Sequence, residues 1–170
     1  MIEPAQQQER SRALGSTLPT GLGTGASALK VSETSTDPEA ARLHALLEIA
    51  YLAASADDKL TDEEIQLLVT NLQSWLGEEL DSKFLLTLFG HLGARLAAEG
   101  YQARVDAVAA QLDPDSRLVA YRLACVTALI DHEVHDEELR FLEGLVHAFG
   151  IPNAEAQTIF DSLDEALSSI

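Results

Sequence analysis

An all-α bundle of about seven helices is the fold class this sequence predicts, and two general observations predict it. From position 37 onward apolar residues recur at three- and four-residue spacing, and no run alternates with the period of two that a half-buried strand requires. The apolar content, 46% of 170 residues, is mostly Leu and Ala with only 5% aromatics, a composition that favours helix over sheet. A chain of this length supports one compact core with or without an appended tail.

The elements follow in order. Thr36 or Asp37 can cap a first helix, Pro38 suits its first turn, and Leu43, Leu46, Leu47, Ala50 and Ala54 make its apolar stripe. A second helix starts near Thr61 and carries Ile65, Leu68, Val69, Leu72 and Trp75. A third runs from about Ser82 through Leu85, Leu88, Phe89, Leu92 and Leu96, and a fourth uses Tyr101, Val105, Val108, Ala109 and Leu112. Asp113-Pro114 opens a fifth, whose stretch from Leu118 to Ile130 is apolar nearly all round, so it is expected at the centre of the bundle. The sixth carries Leu139, Leu142, Val146 and Phe149 and stops at Gly150-Ile151-Pro152, a glycine-then-proline ending. The seventh, from Asn153, carries Ile159, Leu163, Ala166, Leu167 and Ile170. Residues 1–36 are rich in Gln, Ser, Thr and Gly and show no continuous period, so a flexible N-terminal tail is expected ahead of a domain over 37–170.

Charge narrows the class of partner. The chain has 11 Lys and Arg against 28 Asp and Glu, a formal charge of −17. The tail is balanced, so the excess lies in the domain, where 25 acids face 8 bases. Such a surface disfavours nucleic-acid phosphates and anionic membranes and suits cations or a basic protein partner. Met1 to Arg12 has no secretory apolar run, and Leu118–Ile130 is interrupted by Arg122 and Thr127. A membrane span needs about 20 apolar residues, so a cytoplasmic chain without membrane insertion is expected. The single cysteine, Cys125, excludes an internal disulfide; it sits in the most apolar helix and reads as a core thiol.

A repeat carries the most specific signal. Residues 50–64 lie over residues 124–138 at an offset of 74, with the pairs Ala50/Ala124, Ala54/Ala128, Asp57/Asp131, Asp62/Asp136, Glu63/Glu137 and Glu64/Glu138 identical. Apolar positions downstream correspond as well, as Ile65/Leu139, Leu68/Leu142, Leu72/Val146 and Trp75/Phe149. Each half reads as a buried helix, a short acidic turn and an amphipathic helix. Duplicated units of this kind pack with internal pseudo-two-fold symmetry, which would bring the two turns together. Asp57, Glu64, Asp131 and Glu138 would then converge, and carboxylates held that close either repel or take a cation. An all-oxygen set suits calcium or magnesium; zinc is less well matched, although His132 and His135 lie beside the second turn. Helix capping is the competing explanation. Thr61 and Glu64 have capping-box spacing, and first-turn acids complement the helix dipole. Capping accounts for Glu64 and Glu138 but leaves Asp57 and Asp131, at the ends of apolar helices, unaccounted for.

The twice-occurring pattern Ala-x-x-Asp-x-x-apolar-x-x-x-Glu in an all-helical domain resembles the TerB family of tellurite-resistance proteins, with related domains at the start of some DnaJ-like co-chaperones. The resemblance spans roughly residues 40–165. It implies an acidic cluster associated with divalent metals, falling here on Asp57, Glu64, Asp131 and Glu138, in a module linked to stress or metal response. The family favours Gly after each Asp, where this chain has Asp58 and His132.

Other chemistries fit poorly. His132-Glu133-Val134-His135 lacks one spacer of a zincin helix. An EF-hand needs Glu eleven residues after Asp57, where Leu68 stands, and a di-iron bundle needs two Glu-x-x-His elements that the chain lacks. His44, His91 and His147 stand singly on helices, and Trp75 reads as core. With no phosphate loop and no Ser-His-Asp arrangement, a non-enzymatic function is expected: either a cation-binding module acting through protein contacts, or a metal-free adaptor recruiting a partner through its acidic surface or tail.

Overall fold

The computed structural model describes residues 3–32, 36–56, 60–130 and 134–170, and within them the regular elements are all helices. Seven of these occupy the expected places: α3 (Pro38–Ala54), α4 (Asp62–Leu76), α5 (Ser82–Glu99), α6 (Tyr101–Gln111), α7 (Pro114–Leu129), α8 (Asp136–Phe149) and α9 (Asn153–Ser168). Local chemistry sets their starts. The carboxylates of Asp37, Asp81 and Asp113 accept from the backbone N–H groups of Glu39, Phe84 and Ser116 at 3.0, 2.8 and 2.7 Å, which satisfies donors that a helix start otherwise leaves open. Gly150, in the left-handed region at φ 66°, ends α8 as a glycine cap does.

Helices α3 and α7 form the central packed pair, with α6 also on α3, α8 and α9 on α7, and α5 joining α4 to α6. The expectation of one central helix is therefore widened to two. α3 is buried well beyond a single stripe and takes His44 and Glu48 with it. Glu48 is reconciled with burial by Arg104 of α6: its two carboxylate oxygens accept from the guanidinium Nε and Nη2 at 2.7 and 2.8 Å. Such a fork satisfies two desolvated charges at once. Three of the expected stripe residues are exposed instead: Tyr101, Leu139 and Ile170.

The N-terminal region departs most from expectation. Residues 4–31 are not a free tail: they form α1 (Pro4–Gly15) and α2 (Ala26–Val31), joined by a turn-rich connection. Leu14, Leu18, Leu22, Ala26 and Leu29 from this region are buried in the common core. They are spaced by four, four, four and three residues, a helical repeat interrupted by glycines that read as flexibility. Those glycines instead permit close approach. A Cβ on Gly23 would lie 1.9 Å from the carbonyl oxygen of Leu76, and Gly25, at φ 96°, would place one 2.6 Å from the backbone of α3 at Ala40. α1 packs on α4 and α9, α2 on α3, and Lys30 of α2 pairs with Asp81 at 3.2 Å.

Candidate functional site

The two repeats meet where α3 ends, α4 begins, α7 ends and α8 begins. Glu64 stands in the first turn of α4, where acidic residues favourably meet the N-terminal end of the helix dipole. Its Oε2 accepts from the Thr61 N–H at 2.8 Å, and the Glu64 N–H donates to Thr61 Oγ1 at 3.2 Å. The equivalent Glu138 in α8 accepts from the His135 N–H at 2.9 Å. The sequence reading of these glutamates as caps is thus seen at both starts. Their neighbours Asp62, Glu63, Asp136 and Glu137 are exposed to solvent.

The same two glutamates also share a space. Glu64 and Glu138 line one small cavity, of about 50 Å³, with Ala54, Leu60, Asn71, Trp75, Thr127 and Ile130 among its other walls. Two carboxylates 74 residues apart in the chain thus line one chamber. Their settings differ, since Glu138 is buried and Glu64 exposed. Asp57 and Asp131, and with them Asp58 and His132, lie outside the described residues. Among the described residues no group of three or more His, Cys, Asp and Glu side chains is arranged to hold a metal ion; Glu64 and Glu138 are the described half of the predicted four.

The chemistry of the described pair suits a hard cation. A carboxylate has two oxygens and about four acceptor positions, so a capping hydrogen bond and a cation contact are compatible on one side chain. The chamber exceeds the roughly 10–15 Å³ of comparable volume that a single water needs. Its described walls otherwise offer amide, hydroxyl and indole groups together with apolar side chains.

Several wall residues were not singled out as site residues by sequence. Trp75, expected in the core, is half-buried and donates its indole N–H to the carbonyl of Ser11 at 2.9 Å. Buried Asn71 accepts from the Ser11 hydroxyl at 2.8 Å, and the Arg10 guanidinium donates to the carbonyls of Leu129 and Ile130. The polar Asn71 within an apolar stripe was the available signal, but its partner comes from a region read as tail. Cys125, by contrast, is where it was expected: fully buried in α7, its thiol pushed up to about 12 by burial, unsuited to nucleophilic work.

No described helix is long and apolar enough to cross a membrane. Comparison of the whole chain with curated proteins and with solved structures finds no match. The family model described as "Tellurite resistance protein TerB" matches residues 43–160, a span that includes both hinges, both glutamates and α3 to α8 complete but for the first turn of α3. The duplicated helix–acidic turn–helix and this match together establish that the chain belongs to the TerB family.

Proposed function

We propose that the protein is a non-enzymatic TerB module that binds a divalent cation, calcium or magnesium before zinc, at the hinge between its two repeats, and that it acts in a cytoplasmic stress or metal response through contact with a protein partner. One observation carries the reading: Glu64 and Glu138, the repeated glutamates, line a single cavity. Asp57 and Asp131 would complete an all-oxygen ligand set of the kind hard cations prefer. The residues themselves would bind and neutralise; no base or nucleophile is assigned. The −17 charge favours a basic partner surface.

The capping hydrogen bonds on both glutamates favour a second reading, a metal-free adaptor in which the acids only start helices. Calorimetric titration with calcium, magnesium and zinc separates the two. The cation reading expects saturable binding that Glu64→Gln with Glu138→Gln weakens strongly, and expects Asp131→Asn to weaken it more than Asp62→Asn. Absence of binding, or equal affinity in all variants, would put the adaptor in its place.

A further inference from the structure

One face of α8 is open where its counterpart in the first repeat is closed. At the offset of 74, Ile65, Val69 and Leu72 of α4 correspond to Leu139, Glu143 and Val146 of α8. In α4, Val69 and Leu72 are buried and Ile65 is half-buried. In α8, Leu139 and Glu143 are exposed and Val146 is only half-buried. The helix that follows α4, α5, packs on it, whereas α9, which follows α8, packs on α1 and α7. Between α8 and α9 lies an open groove of about 390 Å³, lined by Leu139, Leu142 and Val146 on the α8 side, by Ala156 and Phe160 on the α9 side, and by Tyr121 of α7. That volume and apolar lining fall within the range of binding sites. Glu143 supplies a carboxylate to the lining at the position where the first repeat has a buried valine. α9 adds Glu155, Asp161, Asp164 and Glu165 and has no Lys or Arg.

We propose that the α8–α9 groove is the docking site for a protein partner, which lays into it one amphipathic helix whose apolar stripe is flanked by Lys or Arg. This rests on the protein-contact reading above and names its surface; it is independent of any cation. Two observations choose the occupant. The equivalent face of α4 is buried inside an all-helical bundle, where helices close such faces by fitting side-chain ridges into grooves, and a helix from another protein does the same with anchors at i, i+3 or i+4 and i+7. The change from Val69 to Glu143 replaces an apolar contact by an exposed carboxylate, and α9 surrounds it with further acids. That field selects a cationic flank and rejects an acidic one. A second copy of this chain would set −17 against −17, which opposes self-association through the groove.

The test is titration of the full chain, at physiological salt, with a Leu/Lys amphipathic helical peptide of about 15 residues, long enough to hold a helix, and with its Leu/Glu counterpart. Amide chemical shifts locate the contact. Wild type should bind the Lys peptide and not the Glu peptide, with shifts clustered on α8 and α9. Leu139→Asp, at an exposed position, should weaken binding about tenfold or more, as loss of an anchor does. Glu143→Lys should weaken it about as much, whereas Glu78→Lys, the same charge change at an exposed site between α4 and α5, should alter it about twofold at most. The groove is overturned if Leu139→Asp binds as wild type does, if the two Lys variants lose affinity equally, or if the shifts fall elsewhere; the basic-partner reading then stands without it. Equal binding of the Glu peptide overturns the charge selection on which the proposal depends. A wild-type dimer that Leu139→Asp converts to monomer gives the groove to a second copy instead. If wild type binds neither peptide, the groove and the basic-partner reading fall together.

Discussion

The two repeats agree at their acidic starts and diverge on the inner faces of their second helices. Glu64 and Glu138 each accept from the N–H at the start of their own helix. Seven residues further on, the first repeat has Asn71 where the second has Leu145, and four residues after that Trp75 where the second has Phe149. Leu145 and Phe149 are buried as ordinary core. Asn71 and Trp75 are the two positions that bond to Ser11 of α1. The asymmetry therefore coincides with the docking of the N-terminal segment: one repeat presents an apolar face at these positions, and the other presents an acceptor and a donor that meet α1.

The sharpest way to break this comparison is to remove what α1 buries. Leu14 is fully buried in the core, so Leu14→Ala should cost about 2–5 kcal/mol, as large-to-small core changes do. Urea unfolding measures it, and an unchanged midpoint would mean that α1 adds nothing to the fold. Next in size is Asn71→Leu, which makes the first repeat resemble the second. It leaves the Ser11 hydroxyl buried without its acceptor, at about 1–3 kcal/mol. A double-mutant cycle with Ser11→Ala should recover much of that loss, and simple additivity would argue against the bond.

The two glutamates should differ in the same assay. Glu64→Ala removes an exposed first-turn acid and should cost about 0.3–1 kcal/mol. Glu138→Ala removes a buried hydrogen bond to a carboxylate and should cost about 1.5–3 kcal/mol. Equal losses would show that their burial does not matter energetically.

The smallest effect lies at low pH. Hydrogen bonds from the Phe84 and Ser116 N–H groups hold the carboxyls of Asp81 and Asp113 below the usual carboxylate range, with Lys30 adding to the effect at Asp81. Carboxyls depressed in the folded state contribute stability that is present at neutral pH and lost as pH falls through about 4 and below. Asp81→Asn with Asp113→Asn should flatten that acid limb while leaving neutral stability nearly unchanged, because Asn also caps well. An acid limb as steep as wild type would count against these caps as its source.

Most of the bundle was legible because its signals are local. Helix starts at Asp37, Thr61, Asp81 and Asp113 and the stop at Gly150 depend on atoms a few residues apart, and so does the 3.6-residue period of α3 to α9. The equivalence of Glu64 and Glu138 as first-turn acids was also legible, since an exact offset of 74 pairs them before any contact is seen. The N-terminal region was misread for a physical reason. Gly23 and Gly25 serve close backbone approach, yet in sequence a glycine needed for space looks the same as one that confers flexibility.

By itself, then, the sequence determined the fold class, the helix order and the acidic starts of the two repeats, all products of short-range backbone chemistry and one repeated pattern. The tertiary structure alone decided that Glu48 meets Arg104, 56 residues away, that Ser11 meets Asn71 across 60, and that Arg10 closes on the end of α7 across about 120. Each of these joins a polar residue to a partner that no spacing rule selects. Such pairs form because packing α1 onto α4 and α9 and α6 onto α3 desolvates their polar groups, and a desolvated group must find its partner wherever the fold brings one.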